Sequence, residues 1–302
     1  MRALKKVLCH IILLCVLVAN VIAEEQPISI NFLTSEQTIL QILALQQKMP
    51  MEKNPKEFSP HPQAICFQAN INKFLPKNAD QLQPIYGCIF SDQVAMNAAL
   101  LRAGLYVHTE MGIATDDQLY NSKLMTTVGG HDFAGKELVD YYLHATIPTE
   151  AKSEHEKLKA IEQEFDHKVL KPILEKNQAN FIFFSVINTK KFKENLSHEL
   201  LHAQYYNYPK IAEILEQVWQ EVPKKHQQTI INCLREGGYD VAQHDLVLRE
   251  FYSYFLQYNA AQYLAGITPL KPMTSLANTY ATKIRAALAK NHIKVLTVVN
   301  KP

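Results

Sequence analysis

The chain has 302 residues, with 31 Lys and Arg against 29 Asp and Glu. Hydrophobic residues make up 47% and charged residues 20%, so the chain is long and apolar enough to bury a core without staples. The near balance of charge excludes a strong basic field, and with it nucleic acid as an expected partner.

Arg2, Lys5 and Lys6 form a basic start, Val7 to Val18 is a short apolar stretch, and Val21-Ile22-Ala23 places short residues at a cleavage site. That order predicts a signal peptide over 1–23 and export to a secreted or periplasmic location. The apolar stretch is short for an anchor, which needs about 20 residues, and no later stretch could span a bilayer. A lipidated Cys15 is the alternative, but Leu14 stands where a small residue is expected. Cys66, Cys88 and Cys233 remain after cleavage, and in an oxidising compartment Cys66 and Cys88 are the expected disulfide pair.

Along the mature chain, Thr34–Met49 reads as a helix capped by Thr34 or Ser35. The segment 64–90 reads as strands and turns, and Ser91–Ala103 as a helix capped by Ser91. Gly129-Gly130-His131 predicts a tight turn. Thr149–Lys176 spaces Leu158, Ile161, Phe165, Val169 and Ile173 as an amphipathic helix. The continuous apolar run Phe181–Ile187 predicts a buried strand. Helical patterns follow over 193–207, 210–236, 243–264 and 275–290, and Lys294–Val299 reads as a closing strand. The expected fold class is α+β and mostly helical. Residues 24–150 form a mixed N-terminal subdomain, and residues 151–302 a helical one that carries the site.

The site lies in "ENLSHELLHAQYY", residues 194–206. Residues four apart on an α-helix share one face, one turn apart. His198 and His202 can therefore present ring nitrogens to one metal ion at about 2.0–2.1 Å. Glu199, one residue round the helix, sits where its carboxylate can take a proton from a water. Leu196, Leu200 and Ala203 are expected to bury one side of this helix. Asn195-Leu196-Ser197 matches a glycosylation acceptor but abuts the metal helix, so the match reads as coincidence.

His198-Glu199-Leu200-Leu201-His202 resembles the signature of the zincin metallopeptidases. The resemblance implies a Zn2+ cofactor held by the two histidines and Glu199 as general base. It also implies a zincin-like fold, in which an edge strand above the helix holds a peptide or protein substrate as an added strand; Phe181–Ile187 is the candidate for that strand. The metzincin extension is absent, because Tyr205 and Tyr208 occupy its Gly and His positions. The gluzincin pattern takes a third ligand from a Glu on a following helix, and Glu250 in "DLVLREFYSYFLQ" matches it. The chain departs from that pattern at Tyr254, where an Asp that orients a histidine is often found. Asp245, Asp240, His244 and Cys233 are the alternative third ligands. One of Tyr205, Tyr206, Tyr252 and Tyr254 is a candidate donor to a developing oxyanion. The expected function is an exported zinc-dependent peptidase, of undetermined endo or exo preference. The alternative is a non-catalytic binding protein on the same fold.

Overall fold

The protein is described by a computed structural model that covers residues 27–52, 59, 61–74, 82–109, 113–145 and 155–298. The signal peptide expected over 1–23 lies outside the described residues.

Among the described residues, five strands build one sheet: β1 (Ser29–Thr38), β2 (Gln63–Asn70), β3 (Ile85–Phe90), β4 (Gly130–Ala134) and β5 (Ile182–Ile187). Their order is β1-β2-β3-β5-β4. β1 runs parallel to β2 and β3 parallel to β5, whereas β2–β3 and β4–β5 are antiparallel. Around it lie α1 (Ile39–Lys48), α2 (Gln93–His108), α3 (Asp116–Tyr120), α4 (Gly135–His144), α5 (Glu156–Phe165) and α6 (Lys171–Asn177). The second half supplies α7 (Phe192–Asn207), α8 (Lys210–Gln220), α9 (Lys224–Glu236), α10 (His244–Leu256), α11 (Ala260–Ala265) and α12 (Ala277–Lys290). The fold class is α+β, with a small mixed sheet among many helices.

The central strands β3 and β5 are covered on both faces. Along β5, Ile182, Phe184 and Val186 join the core shared with α1 and α7–α12, while Phe183 and Ile187 join the core shared with α2, α5 and α6. This alternation follows from the two-residue period of a strand. Gly87 of β3 stands directly opposite Phe184. A Cβ there would meet the Phe184 ring at 2.3 Å, so glycine makes room for the phenyl group. The sheet draws β1–β4 from before residue 150 and β5 from after it.

Several elements differ from expectation. The segment 29–38 is strand, and the helix starts only at Ile39, because Thr38 and Gln41 form a reciprocal cap at that point. The cap of α2 is Asp92, whose carboxylate accepts from the Ala95 amide at 2.7 Å; Ser91 instead accepts from the Gln63 amide at 2.9 Å. Gly130 opens β4 instead of a turn. The long amphipathic helix is divided by a wider π turn at Asp166–Leu170, and Pro223 divides 210–236 into α8 and α9. Residues 294–298 are not a strand. The Gln204 amide holds them, donating to the Lys294 carbonyl at 2.7 Å and accepting from the Leu296 amide at 3.1 Å.

Phe181–Ile187 is also not an edge strand. Both sides of β5 are paired, and β4 is the sheet edge nearest α7. A continuous apolar run is the mark of a strand buried on both faces, which suits an interior place.

Cys66 and Cys88 form a disulfide. The two face each other in the β2–β3 register, so the bond joins neighbouring strands. Cys233 is a buried free thiol.

On the face away from α7, a charged network fixes α2 to α5. The Arg102 side chain, 1% exposed, donates through Nε to Glu162 at 2.7 Å and through Nη2 to Asp116 at 2.5 Å. Tyr120 donates to Glu162 at 2.7 Å, and Lys159 to Asp116 at 3.1 Å. Two cations and two carboxylates thus balance. Removing Arg102 leaves Glu162 buried without its main partner, so Arg102→Ala is expected to destabilise the fold by about 3–5 kcal/mol. Denaturant unfolding of the two proteins, followed by circular dichroism, measures that difference.

Candidate metal centre

Two helices buried on all sides meet at the site. Every residue from Asn195 to Tyr205 of α7 is buried, as is every residue from Leu246 to Leu256 of α10. The expectation that α7 buries only the side bearing Leu196, Leu200 and Ala203 is too narrow. The helix packs on β4 and β5 and also on α10. Polar groups inside such an interface must find partners in it.

His198 and His202 lie one turn apart on α7, and Glu250 faces them from α10. His198 Nε2 and His202 Nε2 are 3.0 Å apart. The Glu250 carboxylate lies 3.4 Å from each, through Oε2 to His198 and Oε1 to His202. Ligand atoms about 2.0–2.1 Å from a tetrahedral zinc ion are about 3.4 Å from one another. The three groups therefore stand at the spacing of ligands around one small ion.

Their hydrogen bonds aim them. His198 Nδ1 meets the Gln257 side-chain oxygen at 2.7 Å, so Nδ1 carries the proton and Nε2 offers its lone pair. His202 Nδ1 meets Ser253 Oγ at 3.2 Å. Glu250 Oε2 is buried with no hydrogen-bond partner. A cation between the three groups would satisfy both the lone pairs and this oxygen. His198, His202 and Glu250 can hold a metal ion, and Asp132, Glu199 and His202 form a second, overlapping group with that capacity.

Electrostatics agree with a deprotonated donor set. Burial lowers His202 to about 4 against the opposing pull of Asp132 and Glu250. Burial would raise Glu250, but His202 and His198 hold its carboxyl below the usual value. Glu199 behaves oppositely. Its burial, with Asp132 and Glu250 nearby, raises it well above the ordinary carboxylate range. Glu199 Oε2 is buried without a partner. Its Oε1 lies against β4, where a Cβ at Gly130 would be 2.3 Å away.

Asp132, on the edge strand, completes the charge pattern. Burial would raise it, yet His202, His108 and Arg249 pull it down to about 2. Arg249 Nη1 approaches it at 3.4 Å and Tyr206 donates to it at 3.0 Å.

Two cavities reach His198 and Glu199. One of about 420 Å³ runs along Gly129, Tyr239, Tyr254, Tyr263 and Leu270. The other, about 140 Å³, runs to Asp132 between Leu101, Leu105 and Val128. Of the four tyrosines expected near the site, only Tyr254 lines either cavity. Its ring packs 4.5 Å from that of His198, and its hydroxyl bonds Tyr239 at 2.9 Å. Tyr205 donates to Asp245, Tyr206 to Asp132 and Tyr252 to Gln204.

The alternative ligands are elsewhere. Asp245 is exposed and accepts from Tyr205 at 2.6 Å. His244 is exposed and pairs with Glu216 at 2.6 Å. Asp240 accepts from Gln243 at 2.9 Å, and Cys233 lies in the apolar core. Asn195 is buried with its amide directed to the Gly129 carbonyl at 3.3 Å, which leaves no access for a glycan.

Asp132, Tyr239, Ser253 and Gln257 are missing from the sequence reading. Ser253 had a signal: it follows Glu250 by three residues and so falls on the same side of the helix, and Gln257 follows directly on the helix end. Asp132 and Tyr239 had none, since only the sheet and the Gly237-Gly238 loop bring them to α7.

No known protein family, curated protein or solved structure matches the chain. The geometry generates its own test. Gln257→Leu removes the acceptor that orients His198, and loss of such a partner typically costs 10–100-fold in metal affinity, so a loss of about that size is expected. Competition with a chromogenic chelator measures it.

Proposed function

We propose that the protein is an exported zinc-dependent peptidase of zincin type. The observation that carries this reading is the triangle of His198 Nε2, His202 Nε2 and Glu250 at 3.0, 3.4 and 3.4 Å, with the unpartnered Glu199 Oε2 beside it. Two imidazoles and one carboxylate are a donor set of catalytic zinc sites, which keep a fourth position open. Zinc bound there would polarise a carbonyl and acidify a water.

The residues of this chain supply the rest. Glu199 receives the water proton and passes it to the leaving amine. Tyr254 and Tyr239, hydroxyl to hydroxyl above His198, are the candidate donors to an oxyanion. Among the described residues no strand pairs the outer side of β4, although His108 Nε2 meets the Asp132 carbonyl at 3.0 Å, and the strand borders both cavities through Gly130. An extended peptide can add to it as an antiparallel strand, with alternate side chains entering the cavities. Gln257 and Ser253 hold the histidine rings, and the Arg249–Asp132 pair joins α10 to the edge strand. A zincin-like fold is part of the proposal: α7 lies under an antiparallel edge strand, and the third ligand comes from a following helix.

Export rests on the basic and apolar order of residues 1–23 and on the Cys66–Cys88 disulfide, a bond that persists in oxidising compartments. Among the described residues no helix is long and apolar enough to cross a membrane. Intact-mass measurement of protein recovered outside the cytoplasm should show a chain beginning at Glu24. A chain still beginning at Met1 there removes the export proposal.

The mechanism is tested by two substitutions. Glu199→Gln should keep stoichiometric zinc by elemental analysis while cleavage of a mixed peptide library falls about 10²–10⁴-fold. Glu250→Ala should lose the zinc itself. Cleavage that persists unchanged in Glu199→Gln overturns the mechanism, and full zinc content in Glu250→Ala removes that residue from the site.

A further inference from the structure

We infer that the larger cavity is a recognition pocket for a cationic side chain, lysine or arginine, of the peptide substrate. That a peptide carries the cation rests on the peptidase reading; the preference for a cation rests on the cavity alone.

Three tyrosines wall this cavity beside His198. Tyr254 is the buried one, with ring centroids 6.4 Å from Tyr239 at 88° and 6.4 Å from Tyr263 at 33°. Tyr239 and Tyr263 are half-buried on either side of it. An aromatic face is the negative end of a quadrupole and attracts a cation placed within about 6 Å of its centre. The fold already makes one such contact, because Lys191 Nζ stands 5.4 Å over the Tyr263 ring.

Charge points the same way. Glu236, an exposed residue of α9, is the acidic lining residue away from the ion-holding groups, and no Lys or Arg is among the lining residues. Against Lys191 at the Tyr263 ring stand Glu236 and the negative faces of the tyrosines. An anionic side chain would meet both unfavourably. A neutral apolar one would bury against the tyrosines but gain nothing from Glu236.

Size permits a long side chain. A cavity of about 150 Å³ admits a benzene molecule, and this one is about 420 Å³. The smaller cavity, about 140 Å³ and bordered by Leu101, Leu105 and Val128, is of different character and suits an apolar group.

The experiment uses the full zinc-loaded chain and two probes, Nα-acetyl-arginine amide and its near-isosteric neutral counterpart, Nα-acetyl-citrulline amide. Binding is followed by NMR titration. The arginine probe should bind about tenfold more tightly, as expected for a cation held by partly desolvated aromatic faces and a carboxylate. Glu236→Gln and Tyr263→Leu, both at positions outside the buried core, should each reduce that ratio severalfold. Equal binding of the two probes, or a ratio that survives both substitutions, overturns the assignment. Digestion of a mixed peptide library by the same protein separates the two proposals. An arginine preference without cleavage removes the peptidase and leaves the pocket. Cleavage with no enrichment of Lys or Arg at a fixed place beside the cut removes the pocket and leaves the peptidase.

Discussion

Three carboxylates, Asp132, Glu199 and Glu250, are buried within one small region between α7, α10 and β4. An ionised carboxylate taken out of water costs several kcal/mol unless positive or hydrogen-donating groups surround it. The site answers this demand unevenly. Asp132 has Arg249 and Tyr206. Glu250 has two imidazoles at 3.4 Å, and one of its oxygens has no hydrogen-bond partner. Glu199 also has an unpartnered oxygen. A dication between His198, His202 and Glu250 would remove this imbalance, and much of the surrounding structure keeps those groups in place.

That support is visible in how polar groups are used inside an apolar interface. α7 and α10 are buried all round, yet they carry His198, Glu199, His202, Gln204, Glu250 and Ser253, with Gln257 directly after the end of α10. Gln204 shows the solution where no ion is involved. Its amide donates to the Phe74 and Lys294 carbonyls and accepts from Tyr252 and the Leu296 amide. One side chain thereby fixes two loops to the helix. At the ion site the same economy applies, with Gln257 and Ser253 spending their oxygens on the ring nitrogens that face away from Glu250. Glycine at position 130 lets the edge strand approach Glu199 closely enough for both to border a common space.

The two cavities extend this economy to recognition. They share Glu199 and His198 but diverge on either side of them, one toward tyrosines and Glu236, the other toward leucines and Asp132. An extended chain on β4 would place neighbouring side chains in unlike surroundings. In the proposed peptidase, selectivity would come from the field and shape of the walls, while the chemistry would stay with Glu199 and the ion-holding groups.

Local chemistry made some of this visible in the residues alone. His198 and His202 are four positions apart on one helix, so their common face, with Glu199 one residue round from it, follows from 3.6 residues per turn and no tertiary contact is needed. Glu250 was legible because an acidic residue among Leu246, Val247, Phe251 and Phe255 must find a cation when its helix is buried. The strand at 182–187 and the Cys66–Cys88 pair were legible for similar local reasons, continuous β-branched and aromatic residues and a short spacing of thiols. The strand's place in the sheet was not, because strand order depends on which crossover connections close, and a five-stranded mixed sheet permits many orders. Only the tertiary structure moved the edge from β5 to β4, turned Gly130 into a close approach to Glu199, and brought Asp132 and Tyr239 to α7. Those residues are separated from the metal helix by long stretches of chain, and their meeting is decided by packing on both faces of the sheet, which no local pattern encodes.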